Sequence, residues 1–243
     1  MKVVLKYLKT FIILVLLFFS FSFISSLMPD GPIRKNIEHS VPYVEGLIDY
    51  PQPMIEGQKH SLDYAMDGLI TNMIYTIDNQ EPLKSALMGR SRIQYGKYIS
   101  QWHNLNYNTH NNTLKPNMNY ARYWHGNTFF YRYFFLFTNY NELKWIIYLI
   151  TSILLSIFTI VLYRSTGILK TLSILSGLFF VNMYIMQFSM QLSPVLIISL
   201  LSGIFLIGRY NKNPDSVFLL FFIVGGVTAY FDLLTAPLLR VCC

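Results

Sequence analysis

Apolar residues come in blocks along this chain. Phe11–Leu27 is an apolar run preceded by three lysines, Lys2, Lys6 and Lys9. A polar segment follows from Met28 to Glu142, and from Trp145 the chain is apolar again almost to its end. The first run sits at the short end of the ~17–25 residues that cross a bilayer. Its end, Ser25-Ser26-Leu27, makes a poor cleavage site, so the run reads as an uncleaved anchor rather than a secretory signal. Four more spans are expected at Trp145–Tyr163, Thr171–Met190, Pro194–Gly208 and Ser216–Leu234. The breaks between them are Tyr163–Gly167, Gln191–Pro194 and Arg209–Asp215. The expected fold is an all-α integral membrane protein with about five transmembrane helices and a large, mostly helical extracytoplasmic loop after the first. Its parts are an anchor over 1–27, the loop over 28–142 and a four-helix membrane block over 143–243.

Within the polar segment, Met28-Pro29-Asp30-Gly31-Pro32 is a helix-terminating turn. The stretch to Gln58 carries Pro42, Pro51 and Pro53 without sustained periodicity and is expected to be extended or loosely folded over the rest of the outer segment. Ser61 reads as an N-cap, and Leu62, Met66, Leu69, Met73 and Ile74 recur at helical spacing, which predicts a helix over Ser61–Ile77. Asp63, Asp67 and Thr71 share its other face. Leu83–Met88 is a further short turn of helix. Tyr95–Tyr123, rich in Tyr, Asn, Trp and His, reads as irregular loop. The aromatic run from Arg122 to Phe137 reads as a helix lying in the membrane interface, because a full span would put Arg132 near its centre at ~2.5–3.5 kcal/mol.

Charge sets the orientation. Only 13% of the residues are charged, about half the share of an ordinary soluble domain, and the net charge is +7. Basic and acidic residues balance in 28–142, and the excess sits at the ends of the apolar runs (Lys2, Lys6, Lys9, Arg164, Lys170, Arg209, Lys212). That is a topology signal and not a nucleic-acid face. It places the N-terminus and the first and third breaks in the cytoplasm, and 28–142 outside a cell membrane crossed several times. Cys242 and Cys243 have no zinc spacing and read as incidental. Asp232 and Pro237 resemble the exit of one helix and the start of another apolar run, so the chain is expected to be part of a longer protein.

Candidate chemistry is sparse. Asp63 and Asp67, one helical turn apart, can share a divalent cation or divide base and positioning roles; the alternative is a solvated helix face. Asp30 and Asp49 are weaker candidates, and Asp232 is a carboxylate at the end of a span. His39, His60, His103, His110 and His125 lack the spacing of a metal pair on a helix, and each is expected at the surface or in a hydrogen bond. Arg122, His125 and Arg132 could hold lipid phosphate while Trp124, Phe129 and Phe130 meet acyl chain; the alternative is anchoring by snorkelling. A phosphate-binding glycine loop, a nucleophile elbow and a nucleotide fingerprint are all missing, so an ATP-driven pump or serine hydrolase has no support.

Three stretches, Leu62–Asn72, Arg122-Tyr-Trp-His125-Gly126 and Tyr230-Phe-Asp232-Leu-Leu-Thr-Ala-Pro237, resemble a group of large polytopic membrane proteins of low-GC Gram-positive bacteria. Their layout is similar to that of the GT-C membrane glycosyltransferases. The resemblance implies a sugar donor on a polyprenyl phosphate and transfer outside the membrane for cell-surface glycan assembly. It implies an acidic base or metal ligand at Asp63 or Asp67, less so Asp30, with Arg122 and His125 toward the phosphate. GT-C enzymes have about twice as many spans or more, so this chain would be the front part of such an enzyme. The alternative is a non-catalytic membrane protein whose outer loop binds a partner, lipid or polysaccharide.

Overall fold

The computed structural model describes residues 2–45, 64–88, 91–92, 101–111, 117–119, 124–209 and 215–231. Eleven helices lie among them: α1 (Lys2–Ser26), α2 (Asp30–Glu45), α3 (Tyr64–Tyr75), α4 (Pro82–Met88), α5 (Gln101–His110), α6 (Gly126–Phe135), α7 (Tyr140–Thr166), α8 (Ile168–Phe180), α9 (Met183–Met186), α10 (Ser193–Arg209) and α11 (Asp215–Phe231). A two-residue antiparallel ladder, β1 (Ser91–Arg92) with β2 (Met118–Asn119), brackets α5. The all-helical class is as expected. Two helices, Val3–Ser26 within α1 and Tyr140–Thr166, are long and apolar enough to cross a membrane. The apolar helices α8, α10 and α11 are shorter, at 13, 17 and 17 residues.

The long helices pack with defined directions. Tyr7 of α1 meets Phe222 of α11, and Phe18 stacks on Tyr230 at 4.3 Å between ring centroids, so α1 and α11 run parallel. At Gly226 an added Cβ would touch Leu14, as close packing between them requires. Gly167, at φ +82°, turns the chain from α7 into α8, a conformation that a side chain resists. The starts of α7 and α10 meet at one end of the molecule, with Phe158 against Gly203 further along, so these two are parallel as well. A capping box starts α7: Asn139 Oδ1 accepts from Glu142 N, and Glu142 Oε2 accepts from Asn139 N, both at 3.0 Å.

The helices α2, α3, α5 and α6 of the polar segment share one apolar core with the first turns of α7. Ile33, Ile37, Val41 and Val44 line the inner face of α2, at i, i+4, i+8 and i+11, against Ile70, Met73, Leu105 and Phe135. This corrects the extended or loosely folded reading as far as Glu45; the remainder of that stretch, to Gln58, lies outside the described residues. The apolar period was present, and Pro42 falls on the exposed face, where the helix carries it without burying the ring. The reading of Tyr95–Tyr123 as loop is corrected over Gln101–His110: Trp102 and Leu105 turn α5 onto α3, where Gly68 leaves room for the indole. The expected Thr171–Met190 span is not one helix. It breaks at Val181–Asn182, with Asn182 left-handed at φ 57°, before α9.

Replacing Ile37 with Ala should cost about 2–4 kcal/mol, because the pocket is closed from several helices. Pro42→Ala should be neutral or stabilising, since it restores a backbone donor inside α2. Thermal unfolding in detergent micelles checks both; equal losses at the two positions would contradict this packing of α2.

Candidate functional site

Asp67 is the carboxylate that the structure places most firmly. It lies in the first turn of α3 with 1% of its surface exposed, and the helix is buried nearly all round, from Leu69 to Tyr75. Its Oδ1 accepts from the backbone N–H of Met190 at 2.9 Å. Its Oδ2 accepts from the Tyr140 hydroxyl at 2.7 Å and from Lys144 Nζ, with which it forms an ion pair. Lys144 Nζ also donates to the carbonyl of Phe188. One buried pair thus binds α3 to α7 and to the turn between α9 and α10. Tyr131 adds a tie to the start of α10, its hydroxyl 2.7 Å from Ser193 Oγ. Burial pushes the Tyr131 phenol above its usual range, so it stays neutral.

The solvated-face reading of Asp67 and Thr71 is therefore corrected: both side chains are interior. Asp63 and Arg122 lie outside the described residues, as do Asp49, His60 and Asp232. Among the described residues, no group of three or more His, Cys, Asp or Glu could hold a metal ion. At Asp67 a divalent cation would compete with Lys144 and Tyr140 for the same oxygen.

A second buried pair joins Arg132 of α6 to Asp30 at the start of α2. Arg132 Nε donates to Ser25 O at 3.1 Å, Nη1 to Ile74 O at 3.2 Å, and Nη2 to Met28 O at 3.1 Å as well as to Asp30. Two of these carbonyls belong to the last turns of α1 and α3, whose negative dipole ends favour a cation, and Asp30 stands at the positive end of α2. Burial draws the guanidinium below its ordinary pKa, and the hydrogen bond and charge of Asp30 oppose that shift. The reading of Arg132 and Phe129 as facing lipid is corrected here. Arg132 is 1% exposed and Phe129 is fully buried, because the arginine serves helix ends inside the protein instead of reaching for headgroups.

His125 is the other sequence candidate, and it is buried rather than at the surface. It occupies the N-cap position of α6 at φ 55°, a left-handed conformation that costs a non-glycine residue about 1–2 kcal/mol. The kink lets Gly126 press against Tyr230 so closely that a Cβ would overlap the ring. Tyr230 in turn hydrogen-bonds Ser22 at 2.7 Å. Beside this contact runs an apolar cavity of about 520 Å³ between α1 and α11, lined by Phe11, Leu14, Phe18, Trp124, Phe222 and Tyr230. Gly225 opens its wall, since nothing lies within 4 Å of where its Cβ would be. Among the described residues the exposed histidines are His39, His103 and His110.

No family model, curated protein or solved structure matches the chain. The site therefore has to be argued from its own geometry. Sequence reading passed over Lys144 and Asp30 as partners, although α3 itself carried a signal: apolar residues occupy more than one of its faces, which marks a buried helix.

Breaking the first pair from one side should destabilise strongly. Lys144→Met or Asp67→Leu alone should each cost about 3–5 kcal/mol, and the double variant should recover much of the loss, because no charge is left buried without its partner. A double-mutant cycle by thermal unfolding measures this; additive losses would contradict a coupled pair.

Proposed function

We propose that this chain is a multi-pass membrane protein of the cell envelope, and that it transfers a sugar from a polyprenyl-phosphate carrier in the manner of the GT-C enzymes. The observation that carries the lipid part is the apolar cavity between α1 and α11. It runs along two apolar helices toward Trp124 and His125, beside the end of α11, where the outer helices begin.

The membrane arrangement has several supports. Most of the apolar surface of α1 and α7 is exposed, with Val4, Leu8, Ile12, Leu16, Leu149, Ile153 and Ile160 among the outward residues. Soluble proteins rarely leave such surfaces uncovered. The start of α1 and the turn from α7 to α8 carry Lys6, Lys9, Arg164 and Lys170, and they lie away from the end where Asp67 meets Met190. That agrees with five crossings, N-terminus inside and 28–142 outside. The short α8 fits too: irregular backbone near the membrane is tolerated where protein satisfies it, and Asp67 and Lys144 bond Met190 N and Phe188 O.

In this reading the polyprenyl tail lies in the α1/α11 cavity with its phosphate toward the Trp124 end. Asp63 is then the stronger of the two candidate bases, since Asp67 is committed to Lys144, Tyr140 and Met190. That same commitment favours a second reading, in which the protein binds a lipid or polysaccharide without catalysis.

Filling the cavity from Gly225 separates tail binding from folding, because that position has open space. Gly225→Phe should leave thermal stability intact and weaken retention of polyprenyl phosphate at least tenfold, about the worth of two buried methylenes. Unchanged retention would overturn the lipid assignment. Asp63→Asn, tested in vesicles with a polyprenyl-linked sugar donor, should abolish transfer; full transfer would remove Asp63 from the chemistry, and a wild-type protein that binds the donor without transfer would favour the second reading.

A further inference from the structure

We propose that α4, rather than the aromatic helix α6, docks the outer helices onto the membrane surface, with Leu83 and Leu87 entering the boundary between headgroups and acyl chains. The inference rests on the membrane reading above. Its first ground is the orientation of α4. Ser85 Oγ accepts from Asp78 N at 3.1 Å and donates to Asp78 O at 2.9 Å, which turns Ser85 and its buried neighbour Ala86 inward. Leu83 and Leu87, one turn apart on the other face, are each 54% exposed.

The second ground is where α4 sits. It packs against α1. The turn ahead of it is fastened to the outer end of α1, because Asn79 N donates to Asp30 Oδ2 at 3.0 Å and Asp30 follows α1 by a few residues. At that same end of α1, Ile24 and Leu27 are exposed at 55% and 52%. The two leucines therefore extend the apolar surface that α1 presents to lipid, and this continuity selects lipid as the occupant. Lys84 lies beside them, paired with Glu81, with a stem long enough to reach headgroups. A short helix with this layout lies in the interface plane at a depth of ~5–10 Å.

Spin labels at single cysteines test the docking in lipid nanodiscs, in a Cys242→Ser/Cys243→Ser background. Labels would be placed by Leu83→Cys and Leu87→Cys, with Ile12→Cys in α1 and Gln80→Cys in the exposed turn as references. Collision with oxygen, relative to collision with a water-soluble nickel chelate, should be about fivefold higher at 83 and 87 than at 80, and highest at 12. If 83 and 87 behave like 80 while 12 is in lipid, the docking is wrong and the membrane reading stands. If 83 and 87 are shielded from both agents, protein covers α4 and the lipid assignment is overturned. Water access at 12 would sink the membrane reading itself, and the docking with it.

Discussion

The ends of α1, α2 and α3 meet around a guanidinium that is almost entirely shut off from solvent. Arg132 is buried at the meeting point of three helix ends, the C-termini of α1 and α3 and the N-terminus of α2, and its donors meet Ser25, Met28, Ile74 and Asp30. An uncompensated charge there would cost several kcal/mol. The compensation comes from Asp30 and from helix-end carbonyls: Ser25 O and Ile74 O already accept from Met28 N at 3.2 Å and Ile77 N at 3.3 Å, and Arg132 adds a second donor to each. Because those carbonyls belong to elements far apart in sequence, the arginine fixes how α1 leaves its bundle and where α2 and α3 begin and end. Lysine could not take its place, since the contacts need the fork of a guanidinium.

The Asp67–Lys144 pair does the same work one layer away. It ties α3 to the start of α7 and, through Met190 N and Phe188 O, to the turn that enters α10. Together the two pairs make the outer helices a fixed roof rather than a loose loop. α2 adds neutral ties of the same kind: Asn36 Nδ2 donates to Phe135 O at 2.9 Å, and Ser40 Oγ accepts from Tyr140 N at 2.9 Å. A roof held by charge pairs at its base keeps the cavity between α1 and α11 at a constant depth, which the proposed lipid-linked substrate would require.

The sequence made α1, α3, α4, α7, α10 and α11 legible, because blocked or helical apolar spacing survives in each. α2 was hidden by its prolines, although Ile33, Ile37 and Val41 carried the period; Pro42 marks an exposed position and not a break. α5 was hidden by composition, since Asn104 and Asn108 are buried and a polar helix facing inward looks like loop. α6 was misplaced for an instructive reason. An arginine among aromatics suits an interface and a buried junction equally well, and only the partners, Asp30 and two helix ends, decide between them. His125 and Asp67 were likewise visible as residues but not as interior ones.

Hydrogen exchange in lipid nanodiscs tests most directly whether the outer helices are such a roof. If α3 and α6 are held from both sides by the two buried pairs, the amides of Ile70–Ile74 and Phe129–Phe135 should exchange as slowly as those in the middle of α7. Exchange of α3 and α6 at the rate of an exposed, fraying segment, with α7 still protected, would contradict the account.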